Sequence, residues 1–218
     1  MNPKVLGIAL SDISTNLIFY PDDEALTFPT VISKKKGEDA WVVGEDAYAL
    51  ALDGKGIITD KLLKLTRKDG IATIDGTRYE GKEILKIYFR EIINAGMEKL
   101  YKEKPDEVVV AMSGLEEDIV GDIRAAFVGL GYQPNHIHII SKEESFIYFV
   151  LSLKKDIWNN KVGMYDLSDV SLTYYEMLVN RNSRKLLVNA ESENMDEAFN
   201  LQILNNPCLL YTSPSPRD

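Results

Sequence analysis

Short apolar runs separated by turn residues fill the first eighty positions. Residues 4–10 and 15–20 read as two strands around Ser11-Asp12-Ile13-Ser14, which predicts a hairpin. Pro21-Asp22-Asp23-Glu24 makes the next turn, and residues 26–33 form a third strand. Trp41-Val42-Val43 leads into Gly44-Glu45-Asp46, after which Ala47, Leu50 and Ala51 follow helical spacing. A loop-rich stretch extends to Arg78. Within it, Asp75-Gly76 joins Ile71-Ala72-Thr73-Ile74 to Thr77-Arg78-Tyr79 as a hairpin turn.

The clearest helix covers 81–104. Ile84, Tyr88, Ile92, Ala95 and Leu100 fall near one face, Lys86, Arg90, Glu91 and Glu98 take others, and Pro105 ends the pattern. Val108-Val109-Val110, inside 106–112, suits a strand covered on both faces. A helix over 115–130 stops at Gly131, and a strand follows at 136–140. Ser141-Lys142-Glu143-Glu144 then has the form of a capping box for a helix to about 153. Strands at 161–167, 172–179 and 185–189 precede a helix over 195–204. This alternation predicts an α/β layer structure.

The opening recurs. Leu10-Ser11-Asp12-Ile13-Ser14 matches Leu167-Ser168-Asp169-Val170-Ser171, and a strand with Val and Gly precedes each (Val5, Gly7; Val162, Gly163). Two related halves are expected.

Composition narrows the classes. A net charge of -9 over 218 residues, with both signs interspersed, disfavours nonspecific nucleic-acid binding. Lys34-Lys35-Lys36 is the exception and reads as a solvated loop. A single cysteine, Cys208, excludes an internal disulfide framework and a cysteine-built zinc site. The N-terminal apolar run is too short for a signal peptide or a membrane span, so the cytoplasm is the expected compartment. His136 and His138, two apart on the expected strand, would share a face and could bind a metal, although no third ligand lies near them in sequence.

The motif order resembles the actin/Hsp70/sugar-kinase superfamily. Phe28-Pro29-Thr30-Val31 and Val43-Gly44-Glu45-Asp46-Ala47 are similar to early segments of the Hsp70 ATPase domain, and Glu107 to Met112 to a strand of its deep core. Ile139 to Ser145 stands where the family carries its connecting motif, and Val162 to Leu167 where the second phosphate loop begins. The resemblance implies a duplicated ribonuclease-H-like fold. Residues 1–155 would be its first half, 156–206 the start of a truncated second half, and 207–218 a non-native or disordered tail on a longer protein's N-terminal fragment.

The same resemblance implies ATP and Mg²⁺ as ligands. It places Ser11, Asp12, Ser14, Asp166, Ser168, Asp169 and Ser171 at the phosphate loops, Asp166 at the metal, and Glu143 or its neighbour as the water-orienting group. The sequence departs from that pattern where glycines let backbone N–H groups approach phosphate. The first hairpin reads Ala9-Leu10-Ser11-Asp12, without the metal-side carboxylate or the glycine. The second keeps Asp166 but follows it with Ser168-Asp169-Val170. Plainer roles stand beside the functional ones: turn formation for the serines, Asp12 and Asp169, backbone hydrogen bonding for Asp166, and helix capping for Glu144. Two classes follow, a degenerate nucleotide-binding module that works through a protein partner, and an active chaperone-like or cytoskeletal ATPase with altered loops. The missing glycines and carboxylate argue for the first.

Overall fold

Leu6, Ile8 and Leu10 of β1 (Val5–Leu10) and Thr15, Leu17 and Phe19 of β2 (Ser14–Tyr20) are all buried, as a period of two on a half-covered sheet requires. The strands pair antiparallel with Leu10 opposite Thr15, and β3 (Glu24–Pro29) adds antiparallel to β2. At Thr30 the chain bends into β4 (Val31–Lys35), so the one strand expected over 26–33 is two strands in separate sheets. Thr30 makes the bend with its own polar groups. Its N–H donates to the Ile13 carbonyl at 2.9 Å, and its hydroxyl meets that of Thr15 at 2.8 Å inside the core.

The computed structural model describes residues 3–21, 24–100, 102–152, 161–168, 171–180 and 187–194. They divide into two units, Met1–Lys142 and Glu143–Asp218.

In the first unit β4 lies between β5 (Trp41–Val43) and β6 (Gly56–Asp60), with α1 (Glu45–Leu52) against it. The solvated-loop reading of Lys34-Lys35-Lys36 is corrected here. Lys34 and Lys35 belong to β4, and Lys34 is only 8% exposed. Its Nζ lies 5.9 Å from the Trp41 ring centroid and 5.8 Å from that of Tyr79, so aromatic faces cover the stem and attract the charge. The stretch expected to be loop contains β6 and also α2 (Leu62–Arg67), which buries Leu62, Leu63 and Thr66. The hairpin of β7 (Ile71–Ile74) and β8 (Thr77–Glu80) forms as expected, with Asp75 and Gly76 both left-handed at φ 51° and 76°.

Helix α3 (Gly81–Leu100) supplies the largest block of core. Ile84, Leu85, Tyr88, Phe89, Ile92 and Ile93 fall on one stripe and are 5% exposed or less. Burial of each contributes about 1.5–3 kcal/mol relative to an exposed position. The apolar run at 107–112 becomes β9 (Glu107–Met112), parallel to β1. After α4 (Glu117–Gly129), β10 (Ile137–Ser141) pairs parallel to β9 and completes the sheet order β10-β9-β1-β2-β3. His136 falls in a 3-10 turn before β10, so only His138 is on the strand and the shared-face histidine pair does not form. Pro134 starts that turn and delays the strand by one residue.

Helix α5 (Lys142–Ser152) starts directly after Ser141, with Glu143 and Glu144 in its first turn where the helix dipole favours carboxylates. In the second unit β11 (Lys161–Ser168), β12 (Ser171–Asn180) and β13 (Leu187–Asn194) form an antiparallel sheet. Phe146, Val150 and Tyr175 form its buried cluster, flanked by Ile147, Leu151, Val162 and Met164. The described residues are thus mixed α/β. The helix expected over 195–204 and the segment 207–218 lie outside them.

Candidate functional site

The parallel strands of the first unit end side by side, with Leu10 opposite Met112 and Met112 opposite Ser141. In α/β sheets ligands sit beyond the carboxyl ends of such strands. The first candidate loop is there, but its polar groups serve one another. Ser11 N–H donates to the Ser14 carbonyl at 3.0 Å, and Ser11 Oγ donates to that carbonyl at 3.1 Å. The same Oγ accepts the N–H of Ile13 at 3.3 Å and of Ser14 at 3.0 Å. A serine hydroxyl with one donor and two acceptor sites closes the turn by taking up two of the loop's amides, and the Ser14 carbonyl takes up a third.

Asp12 is bound to a segment far along the chain. Its Oδ1 accepts the N–H of Leu63 at 2.7 Å, and its Oδ2 accepts that of Lys64 at 3.1 Å. These are first-turn donors of α2, which an intrahelical carbonyl does not reach. A side chain from another segment supplies the cap, because Lys61 before the helix offers none and sits at φ 51°. Arg67, at the other end of α2, donates from Nη2 to the carbonyls of Ser113 and Gly114 at 2.6 and 2.8 Å. Its Nε lies 3.3 Å from Glu116. Helix α2 is thereby fastened across the ends of β1 and β9. Below the loop, Tyr88 donates to Thr15 Oγ1 at 2.7 Å, and Thr15 pairs with Thr30. Burial raises the Tyr88 phenol to about 12 against two hydroxyl contacts that lower it, so the phenol keeps its proton.

In the second unit the backbone pairs Leu167 with Leu172, the same five-residue offset as Leu10 to Thr15. The backbone pairs Ser168 with Ser171, and Asp169 lies outside the described residues. Asp166 is half-buried opposite Thr173 and stands at the place of Ala9 in the first hairpin. The structure brings two expected site residues together around a third that the sequence reading missed. Tyr175 donates to Glu143 Oε1 at 3.3 Å. Its phenol is raised to about 12, first by burial, then by the charges of Glu143 and Asp166 and the bond to Glu143, with Thr173 acting the other way. The available signal was the strand period: Thr173 and Tyr175 are two apart in β12, across from Asp166 and Met164.

A bound phosphate needs free amides and a positive or neutral surface. In the first loop three amides are committed and a carboxylate holds the nearby helix terminus, so these residues do not fit one. Among the described residues no three His, Cys, Asp or Glu side chains converge to hold a metal ion. His138 Nε2 lies 3.8 Å from Glu107, and both are partly exposed.

These features define a mixed α/β protein whose first hairpin loop is closed by its own side chains. The chain belongs to the family of unknown function DUF5716, matching its C-terminal region over residues 14–212. No curated protein matches it. No helix among the described residues is long and apolar enough to cross a membrane.

Proposed function

We propose that the chain is a degenerate nucleotide-binding module of duplicated ribonuclease-H-like build, acting in the cytoplasm through a protein partner in a regulatory role and not by hydrolysing ATP. One observation carries this reading: Ser11 and Asp12 already bond backbone N–H groups that a phosphate would need. The loop amides of Ser11, Ile13 and Ser14 bond to Ser11 and Ser14 themselves, and the Asp12 carboxylate occupies the N–H groups of Leu63 and Lys64. A phosphate arriving there meets a like charge. At ~4 Å and an effective dielectric near 20 that contact costs about 4 kcal/mol before screening. The matching register of Leu10 with Thr15 and Leu167 with Leu172 supports duplication of the hairpin.

The test is calorimetric titration of the chain with ATP and Mg²⁺. The expected result is no saturable heat at micromolar nucleotide. Saturable micromolar binding that disappears in Asp166→Ala overturns the proposal in favour of an active ATPase with altered loops.

A further inference from the structure

Between the C-terminal half of α3 and the end of α4 lies a pocket of about 130 Å³, closed on one side by Lys104. Its wall is set by the way α4 stops. Tyr132 N–H donates to the Phe127 carbonyl at 3.1 Å and Gly131 N–H to the Val128 carbonyl at 2.9 Å, with Gly131 at φ 88°. This is a Schellman closure, in which the residue after the glycine packs back on the helix. The Tyr132 ring accordingly meets the Phe127 ring edge-on at 5.7 Å. Tyr132, Met97 and Leu130 give the pocket an apolar lining, and Arg90, Asn94 and Lys104 give it donors.

Those donors have capacity left. Lys104 Nζ lies 4.7 Å from the Tyr132 ring centroid and donates to the Leu130 carbonyl at 2.9 Å, which uses one of its three protons. Arg90 engages Glu91 through Nε at 2.7 Å, which leaves the Nη donors of the guanidinium fork. The Tyr132 hydroxyl is buried without a hydrogen-bond partner among the described residues, and burial raises its phenol to about 12, so it stays a donor.

We propose that this pocket binds a small monocarboxylate with a compact apolar body, Arg90 and Lys104 holding the carboxylate while Met97, Leu130 and the Tyr132 ring cover the body. At about 130 Å³ the pocket is slightly smaller than the closed cavity of about 150 Å³ that accepts benzene, and its open mouth lets the carboxylate lie outside the apolar part, at the exposed Arg90 and Lys104. The charge fits one negative group: Glu91 offsets part of Arg90, so the pair suits a monoanion better than a phosphate dianion. The net charge of -9 repels anions at long range, and recognition here is short-range and local. This inference does not depend on whether the hairpin loops bind nucleotide.

Benzoate is the probe, with benzamide as its neutral isostere, titrated by calorimetry and by amide NMR shifts. Saturable benzoate binding is expected, with shifts at Asn94, Met97 and Tyr132. Benzamide should bind at least about tenfold more weakly, and the Arg90→Gln/Lys104→Gln double variant should lose affinity by at least about tenfold at an unchanged melting temperature. Lack of saturation by about 10 mM benzoate, equal binding of benzamide, or a response confined to acidic peptides overturns the proposal. The benzamide comparison uses the unaltered chain, so it stands even where a variant is poorly folded.

Discussion

The phenol of Tyr88 on α3 donates to the hydroxyl of Thr15 on β2 at 2.7 Å, although the two residues are 73 positions apart and both are fully buried. The bond ties α3, the longest helix among the described residues, to the strand that leaves the first hairpin loop.

That phenol makes stability fall in alkali. Its folded-state value is raised from 10.0 to about 12, so between those values the folded chain keeps a proton that the unfolded chain releases. The contribution is intact below pH 10 and is lost as pH rises toward 12, amounting to about 3 kcal/mol for a group shifted that far. Tyr132 in the first unit is raised to about 12 as well and acts in the same direction. Urea unfolding from pH 8 to 11.5 checks this, and Tyr88→Phe should flatten the decline. At neutral pH the same variant should lose about 1 kcal/mol, because Thr15 and Thr30 still satisfy each other.

Asp12→Ala should destabilise the first unit by about 0.5–2 kcal/mol, the range for a lost helix cap. Hydrogen exchange should quicken at Leu63 and Lys64 first, since their N–H groups lose the carboxylate. Uniform exchange across the unit contradicts this account.

Gly114→Ala should cost more than its exposed position suggests. The residue sits at φ 69°, and an added Cβ would lie 2.7 Å from Arg67 Nη2, the atom that bonds the Ser113 and Gly114 carbonyls. Strain of about 1 kcal/mol is expected from the backbone alone. Arg67→Met in the same background should remove part of the penalty. Thermal melts of the two single variants and the double variant measure the coupling.

Phe146→Ala should affect the second unit alone. Its buried cluster among the described residues is Phe146, Val150 and Tyr175, and the Phe146 and Tyr175 rings are 6.4 Å apart. Losing a buried phenylalanine costs about 3–5 kcal/mol. Amide exchange in β11 and β12 should rise sharply while β1, β2 and β9 keep their protection.

Elements whose causes are local were legible in the sequence. The stripe from Ile84 to Ile93, the Asp75-Gly76 turn and the stop at Gly131 each rest on neighbours within one turn. Helix α2 was missed because it is short, has no capping residue at Lys61, and takes its cap from Asp12. Lys34 was misread for a similar reason, since Trp41 and Tyr79 cover it only after three elements have assembled. At the candidate site, composition showed that the glycines were missing. It could not show that Ser11 closes the turn with its own hydroxyl, or that Glu143 and Asp166 converge on Tyr175.

The central place of β1 has a kinetic consequence. It pairs on one side with β2, its immediate neighbour in sequence, and on the other with β9, about a hundred residues later. The local meander can form within microseconds, whereas the parallel pairing must wait for a large loop to close. During synthesis one edge of β1 therefore stays open until β9 emerges, a window of several seconds at ordinary translation rates. In that interval the half-built sheet exposes its hydrogen-bonding edge to any strand that arrives first, which is the stage at which this chain most needs protection from aggregation.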